Sequence, residues 1–372
     1  MFMRKKVLFF HFDLGVGGAE NVLINLLNNL APSKYDITLL LLFNHGVRLN
    51  CLSSHIRLKY VFNFNPFSGI SYVLKIFSPR LLHQLFIREK YDYEIAFLED
   101  IPTRIIGGCP YQDTKCFAWV HRSFVDLSTL LHSYRSYNEM EKTYRRFYGT
   151  AFVAQSALDS FKALTCLSLE NMRVINNVLE TEELIERSKA KADIKNKSVV
   201  NFCSVGRLTA QKNYTCLVRV LGTLYNEGIR NWHFYLLGRG EQQKLLEKMV
   251  MELGLSDNVS MLGFDANPLR YVSKMDFFVC SSLYEGYSTA VTESIILQTP
   301  VITTECSGMR EIFGNTECGM IVENSEEGLV NGMRRMLTEP ELVRKMKCSA
   351  KERSHFFSKE RCLRQFETFI ES

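Results

Sequence analysis

Short apolar runs rich in Val, Ile, Leu and Phe recur along the chain, and segments of helical period separate them. No other feature restricts the possible folds so strongly. Uninterrupted apolar runs suit strands buried on both faces, and strands alternating with helices give parallel βαβ units. The first half offers "KVLFFHF", "YDITLLLLF", "IRLKYVF", "YEIAFL", "KCFAWVH", "TAFVAQ" and "MRVINN", with helical segments such as 18–30, 69–88 and 136–147. The second half offers "SVVNFCSVG", "WHFYLLG", "VSMLGF", "FFVCSS", "VITTE" and "GMIVEN", with helices at 212–226, 241–253, 289–298 and 326–338. The pattern restarts near residue 198, after the charged stretch "ETEELIERSKAKADIKNK". The reading is therefore α/β with two doubly wound, Rossmann-like domains in tandem. Its boundaries are 1–178, a linker at 179–197, a second domain at 198–354, and a closing helix at 355–372 that returns to the first domain. Sheets of this kind bind ligands outside the carboxyl ends of their strands, so a cleft between the two domains is the expected site.

Bulk properties narrow the class. At 372 residues, two cores are the natural expectation. With 46% hydrophobic and 23% charged residues the chain reads as globular. Eleven scattered cysteines, with no CxxC pair and no zinc-type spacing to His, read as buried free thiols of a reducing cytosol. The N-terminal apolar run, Val7 to Phe10, stops at His11 and is too short for a signal peptide. No apolar stretch approaches the ~18 residues that a membrane span needs. Charge is uneven: residues 1–178 carry 20 Lys and Arg against 14 Asp and Glu, and residues 179–372 carry 25 against 26. The basic first half points to an anionic surface or ligand. Within it, residues 57–90 combine six basic residues, Lys75, Arg80 and Arg88 among them, with many Phe, Leu and Tyr. That run reads either as a membrane-surface contact or as core-facing helices with one solvated face.

Four strand-end motifs carry candidate chemistry. "FHFDLGVGGAE" places Gly15, Gly17 and Gly18 between a strand and a helix start, where backbone N–H groups can approach a phosphate or sugar. A dinucleotide fingerprint would need Gly or Ala where Glu20 stands, so the loop is a phosphate cradle of another kind or a plain tight turn. "SVGRLTAQKNY" sets Arg207 and Lys212 just past a strand end, where a forked guanidinium and an ammonium could clamp a diphosphate; the plainer alternative is two solvated cations. "YEGYSTAVTE" puts Glu285 in the loop before a helix and Glu293 about one turn inside it. Gly286, Ser288, Thr289 and Ala290 bring amides to that helix start, a site for an anion, while carboxylates suit vicinal diols. The two acids could equally be helix-dipole and surface residues. "FAWVHRSF" leaves His121 at a strand end, facing ligand or serving as a structural histidine.

Together, "GGAE", "GRLTAQK", "LLGRGE" and the E-x7-E element "EGYSTAVTE" resemble the retaining glycosyltransferases of GT-B architecture called family 4, over most of the chain. "YEIAFLED" and "FAWVHRSF" resemble the capsule and exopolysaccharide enzymes within it. The resemblance implies roles for the matching residues. Gly17 and Gly18 would lie near the donor phosphates and the acceptor. Arg207 and Lys212 would bind the donor diphosphate. Glu285 would contact the donor sugar, Glu293 the ribose, and His121 a hydroxyl of the donor sugar. "GYSTAVTE" departs from the usual Gly-Phe-Gly-Leu-Pro-x-x-Glu, which leaves the backbone amides but alters the side chains beside the phosphate. The implied reaction moves a sugar, from a UDP-sugar donor, to a lipid-linked glycan acceptor in surface polysaccharide synthesis, with retention. No D-x-D triplet occurs, so neither metal nor cofactor is expected. The expected setting is the cytoplasm, with peripheral contact at the inner membrane and no nucleic-acid partner. A nucleotide-sugar epimerase of the same architecture and a two-lobed sugar-binding protein are the alternatives.

Overall fold

Both sheets follow from the apolar runs. A computed structural model describes residues 4–15, 17–65, 69–165, 167, 171–196, 198–285 and 287–372. The chain divides into two compact units, residues 1–179 with 359–372, and residues 180–358. The first unit holds a seven-stranded sheet in the order β3-β2-β1-β4-β5-β6-β7. Its strands are β1 (Lys5–His11), β2 (Tyr35–Phe43), β3 (Arg57–Phe62), β4 (Tyr93–Ala96), β5 (Lys115–Val120), β6 (Gly149–Phe152) and β7 (Met172–Val174). The second unit holds a six-stranded sheet, β10-β9-β8-β11-β12-β13. These strands are β8 (Val200–Val205), β9 (Trp232–Leu237), β10 (Val259–Gly263), β11 (Phe277–Cys280), β12 (Val301–Thr304) and β13 (Gly319–Val322). Every pairing is parallel. In β1, Val7, Leu8, Phe9 and Phe10 are all buried, as a strand covered on both faces requires.

In each sheet the strand order reverses at one point. In the first unit it lies between β1 and β4, which pair from Val7↔Tyr93 to Phe10↔Ala96. In the second it lies between β8 and β11, which pair at Phe277↔Phe202 and Phe278↔Cys203. Loops leaving the carboxyl ends of the two strands part there and open a crevice.

One segment differs in detail from the sequence reading, and the charged stretch carries a helix of its own. Residues 69–88 form two helices, Ile70–Lys75 and Pro79–Phe86, rather than one. Pro79 cannot continue a helix but suits its first turn, and the Ser78 hydroxyl caps the new start by accepting from the Leu81 N–H at 3.2 Å. In the charged stretch that follows Leu179, Thr181–Ser188 is helical. That helix packs into the second unit, where the Ser273 hydroxyl donates to the Ser188 carbonyl at 3.0 Å and the Asn267 amide to the Arg187 carbonyl at 2.8 Å. The last helix, Lys359–Glu371, belongs to the first unit. Its Phe366 ring stacks on Phe9 with centroids 5.9 Å apart, and Phe369 meets Phe117 at 5.2 Å. Lys34 pairs with Glu371 at 2.6 Å. Seven of the ten described cysteines are buried, and all ten are free.

Candidate functional site

The second unit's crevice is built from two loops stitched together. Beyond β8, residues 206–213 carry Arg207 and Lys212; beyond β11, residues 281–285 carry Glu285. The Leu283 N–H donates to the Gln211 carbonyl at 2.9 Å, the Gln211 amide to the Tyr284 carbonyl at 2.9 Å, and the Ser281 hydroxyl to the Lys212 carbonyl at 2.8 Å. Asn213, with φ of 54°, turns the chain out of this loop into the helix Tyr214–Asn226. A third loop braces the first. The Leu208 N–H donates to the Arg239 carbonyl at 2.9 Å, and a Cβ on Gly238 (φ 146°) would lie 1.8 Å from the Gly206 carbonyl oxygen. Only glycine permits that approach, which gives "LLGRGE" its physical meaning.

Lys212 and Glu285 meet. The Lys212 Nζ lies 2.5 Å from Glu285 Oε1, which also accepts from the Ser282 hydroxyl at 2.7 Å. Their side chains are 18% and 10% exposed. Burial alone would push the Lys212 ammonium toward neutrality, but the Glu285 charge outweighs it and holds its pKa above the ordinary 10.5. Lys212 is therefore a fixed cation. Arg207, exposed beside it, works slightly in the opposite sense, and no hydrogen bond or ion pair engages its guanidinium among the described residues.

The helix Thr289–Ile296 starts at this pair. Its N-cap, Ser288, is buried, and the Ser288 side chain makes no capping hydrogen bond. The amides of the first turn are thus not claimed by that hydroxyl. Ser288 and Ala290 line a small recess with Lys212, Tyr214, Ser281 and Ser282. Thr289 opens the helix, and Glu293 sits half-buried one turn along it. Gly286 lies outside the described residues. The recess joins an ammonium, hydroxyls and a helix N-terminus, and the Glu285 carboxylate is bonded to its Lys212, a combination suited to an anionic ligand.

The first unit's crevice gathers a second set. Gly17 and Gly18 begin the helix Gly18–Asn29, and a Cβ on Gly17 would lie 2.1 Å from Glu20 Oε2, so Glu20 folds back over the helix start. His121 follows β5; its N–H donates to Glu99 Oε2 at 2.9 Å, and its ring lies 4.8 Å from the Phe97 ring. Burial, with a smaller effect of His11, pushes the His121 imidazole down to about 3, and burial lowers His11 as well. Both rings are neutral near pH 7. Each has a buried Nε2 with no hydrogen-bond partner, while His11 Nδ1 lies 2.8 Å from the Asp13 carbonyl oxygen.

Sequence reasoning passed over His11, Glu99, Asp100 and Arg122. Arg122 bridges Glu99 at 3.2 Å and Asp100 at 2.9 Å, and Asp100 takes φ of 72°, an uncommon conformation for a side-chain-bearing residue. The adjacent acids in "FLEDIP" at a strand end were the available signal. Lys75 ends its helix over the Tyr72 ring, and Arg80 and Arg88 are exposed.

The neutral histidines give a pH expectation. A histidine whose folded pKa is depressed binds fewer protons when folded than when unfolded. Its contribution is complete above the ordinary value of 6.5 and is lost as pH falls toward about 3. The melting temperature should fall between pH 7 and pH 5, and His121→Gln should flatten that slope. Calorimetric scans across this range check both.

Residues 185–353 match the family model "Glycosyl transferases group 1". A Campylobacter jejuni N-acetylgalactosamine-N,N'-diacetylbacillosaminyl-diphospho-undecaprenol 4-alpha-N-acetylgalactosaminyltransferase is 32% identical over 195 residues, 52% of each chain. The match thus spans about half the length of that relative. An uncharacterized glycosyltransferase of Haemophilus influenzae is 23% identical over 98% of this chain and all of its own. Among solved structures, Anabaena HepE in complex with UDP and glucose superposes with a TM-score of 0.78 at 18% identity, covering 99% of this chain and 100% of that one. The two-unit fold is that of GT-B glycosyltransferases. Residues 185–353, a little under half of the chain, carry the likeness to the glycosyl transferases group 1.

Proposed function

We propose that the chain transfers a sugar from a nucleotide-sugar donor to a lipid-linked glycan in surface-polysaccharide synthesis, retaining the anomeric configuration. The observation that carries this reading is the Lys212–Glu285 pair at the start of the helix Thr289–Ile296. Lys212, Arg207 and the amides at the helix start, Ser288 to Ala290, hold the donor diphosphate. Glu285 holds hydroxyls of the donor sugar, and Glu293 those of the ribose. As the bond from the anomeric carbon to the phosphate oxygen breaks, negative charge grows on the leaving diphosphate. The fixed Lys212 cation and the helix start stabilise it without reorganising. The acceptor hydroxyl bonds to the anomeric carbon from the same face and passes its proton to the leaving phosphate oxygen. Neutral His121 and His11 offer Nε2 atoms to sugar hydroxyls, and Gly17 and Gly18 admit donor phosphate and acceptor. UDP is the proposed nucleotide, supported by its presence in the HepE complex. A polyprenyl-diphosphate-linked acceptor is supported by the Campylobacter relative's name.

The test incubates purified protein with a panel of UDP-sugars and a polyprenyl-diphosphate-linked sugar, with products read by mass spectrometry. One added sugar residue on the lipid, in the donor's anomeric configuration, is expected. Donor isomerisation without acceptor would instead mark an epimerase. Binding of free sugar with no nucleotide preference would mark a binding protein.

A lipid-linked acceptor calls for a surface that meets the bilayer. No helix among the described residues is long and apolar enough to cross a membrane. Helices Ile70–Lys75 and Pro79–Phe86, with the turn between them, expose Tyr72 (67%), Ile76 (72%), Phe77, Leu81 and Leu85 beside Lys75, Arg80 and Arg88. Apolar side chains among basic ones suit an anionic lipid surface. In co-sedimentation with phosphatidylglycerol vesicles, Ile76→Asp with Leu85→Asp should lower binding about tenfold, since two exposed apolar side chains that would enter the lipid surface are lost. Undiminished binding would remove these helices from the contact.

A further inference from the structure

Inside the first unit lies a polar cluster that sugar transfer does not use. His83 comes from the helix Pro79–Phe86, Glu94 from β4, Cys109 from the turn after the helix Ile101–Ile106, and Cys116 from β5. They are 0%, 0%, 2% and 7% exposed. His83 Nε2 lies 2.7 Å from Glu94 Oε2, and the donor atoms of His83, Glu94 and Cys109 all fall within 4.8 Å of one another. The Cys116 thiol lies beside that of Cys109 but outside this 4.8 Å group, and joins it on a side-chain shift. Around them stand Leu74, Leu82, Ile87, Ile105 and Ile106.

An apolar core is a costly place for such a set. The His83–Glu94 contact satisfies half of each group, while Glu94 Oε1 and His83 Nδ1 are buried with no hydrogen-bond partner. Leaving a carboxylate and an imidazole half-satisfied in apolar surroundings costs free energy, and an ion pair recovers it only with good geometry and further hydrogen bonds. A dication would neutralise both a carboxylate and a thiolate at once.

We propose that this cluster is a structural zinc site, with His83, Glu94 and Cys109 as ligands and Cys116 completing the tetrahedron. Imidazole and thiolate donors select zinc over magnesium or calcium. Tetrahedral zinc sets its donor atoms about 3.3–3.8 Å apart, so the His83–Glu94 contact opens by roughly half an ångström. Four protein ligands leave no open position, which makes the ion structural rather than catalytic. It fastens the helix Pro79–Phe86 to β4 and β5 at the interior of the sheet.

The full chain, purified without chelator, should contain about one zinc per molecule by elemental analysis. Glu94→Gln and Cys109→Ser should each lower retained zinc at least about tenfold, while Cys348→Ser, at an exposed thiol, should not change it. Chelator should lower the melting temperature of the wild type and leave that of Cys109→Ser unchanged. If those variants fail to fold, cobalt exchanged into the wild type decides. A tetrahedral spectrum with thiolate-to-cobalt charge transfer is expected. Wild-type protein dialysed against zinc that retains less than about a tenth of an equivalent would overturn the site. So would zinc undiminished in Cys109→Ser, or cobalt binding without a thiolate band.

Discussion

Lys212→Ala should lower kcat/KM for the nucleotide sugar about 10²–10³-fold, the usual cost of one preorganised group at a developing charge. The loss has two parts. The ammonium no longer meets the diphosphate, and Glu285, 10% exposed and accepting from Ser282, is left without its cation. An uncompensated carboxylate beside that recess repels a diphosphate. Lys212→Ala should therefore bind UDP more weakly than the double variant Lys212→Ala/Glu285→Ala, which keeps neither charge. Sugar transfer should fail in both, because Glu285 is also assigned to the donor sugar. Lys212→Arg should restore little, because a planar fork does not reproduce a point charge in that recess. Initial rates at several donor concentrations, with circular dichroism as a fold control, check the series. Full activity in Lys212→Ala and in Glu285→Ala would remove both residues from the site.

Phe366→Ala should destabilise the first unit by about 3–5 kcal/mol, the range for deleting a buried aromatic ring. Phe366 is fully buried, stacked on Phe9 at 5.9 Å and packed against Trp119 at 5.5 Å. Its neighbours are the central strands β1 and β5, so the cavity would open in the middle of the sheet's face rather than at an edge. Arg364→Ala, on the exposed side of the same helix, should change stability by less than about 0.5 kcal/mol. Urea unfolding of both variants measures the contrast. Equal midpoints would mean that the closing helix contributes little to the unit's stability.

The sheets were legible because doubly wound strands must be apolar on both faces, and "KVLFFHF" or "FFVCSS" can be little else. Less legible was what the strand order brings together. Lys212 and Glu285 stand 73 residues apart, and their motifs suggested two separate tasks, phosphate and sugar. They meet because β8 and β11 are neighbours, a crossover that periodicity does not encode. The same holds for His11, Glu99 and Arg122, which converge because β1, β4 and β5 lie side by side. Attention to the glycine loop hid His11, which reads in sequence as the end of a strand. Cys109 and Cys116 were expected as inert core thiols. Only the packing of the helix Pro79–Phe86 against β4 sets His83 and Glu94 beside them. The break before Pro79 was readable after the fact, since Ser-Pro is a helix start rather than a helix interior.

On the proposed function, the second unit holds a nucleotide-sugar diphosphate at Lys212 and Arg207. Calorimetric titration measures that binding. UDP and one or more UDP-sugars should bind the wild-type protein one to one, with a dissociation constant on the order of micromolar, about −8 kcal/mol, in buffer without added divalent metal. Lys212→Ala should weaken UDP binding by at least about tenfold, or 1.4 kcal/mol. Absence of binding by every nucleotide sugar, or equal affinity in wild type and Lys212→Ala, would contradict it.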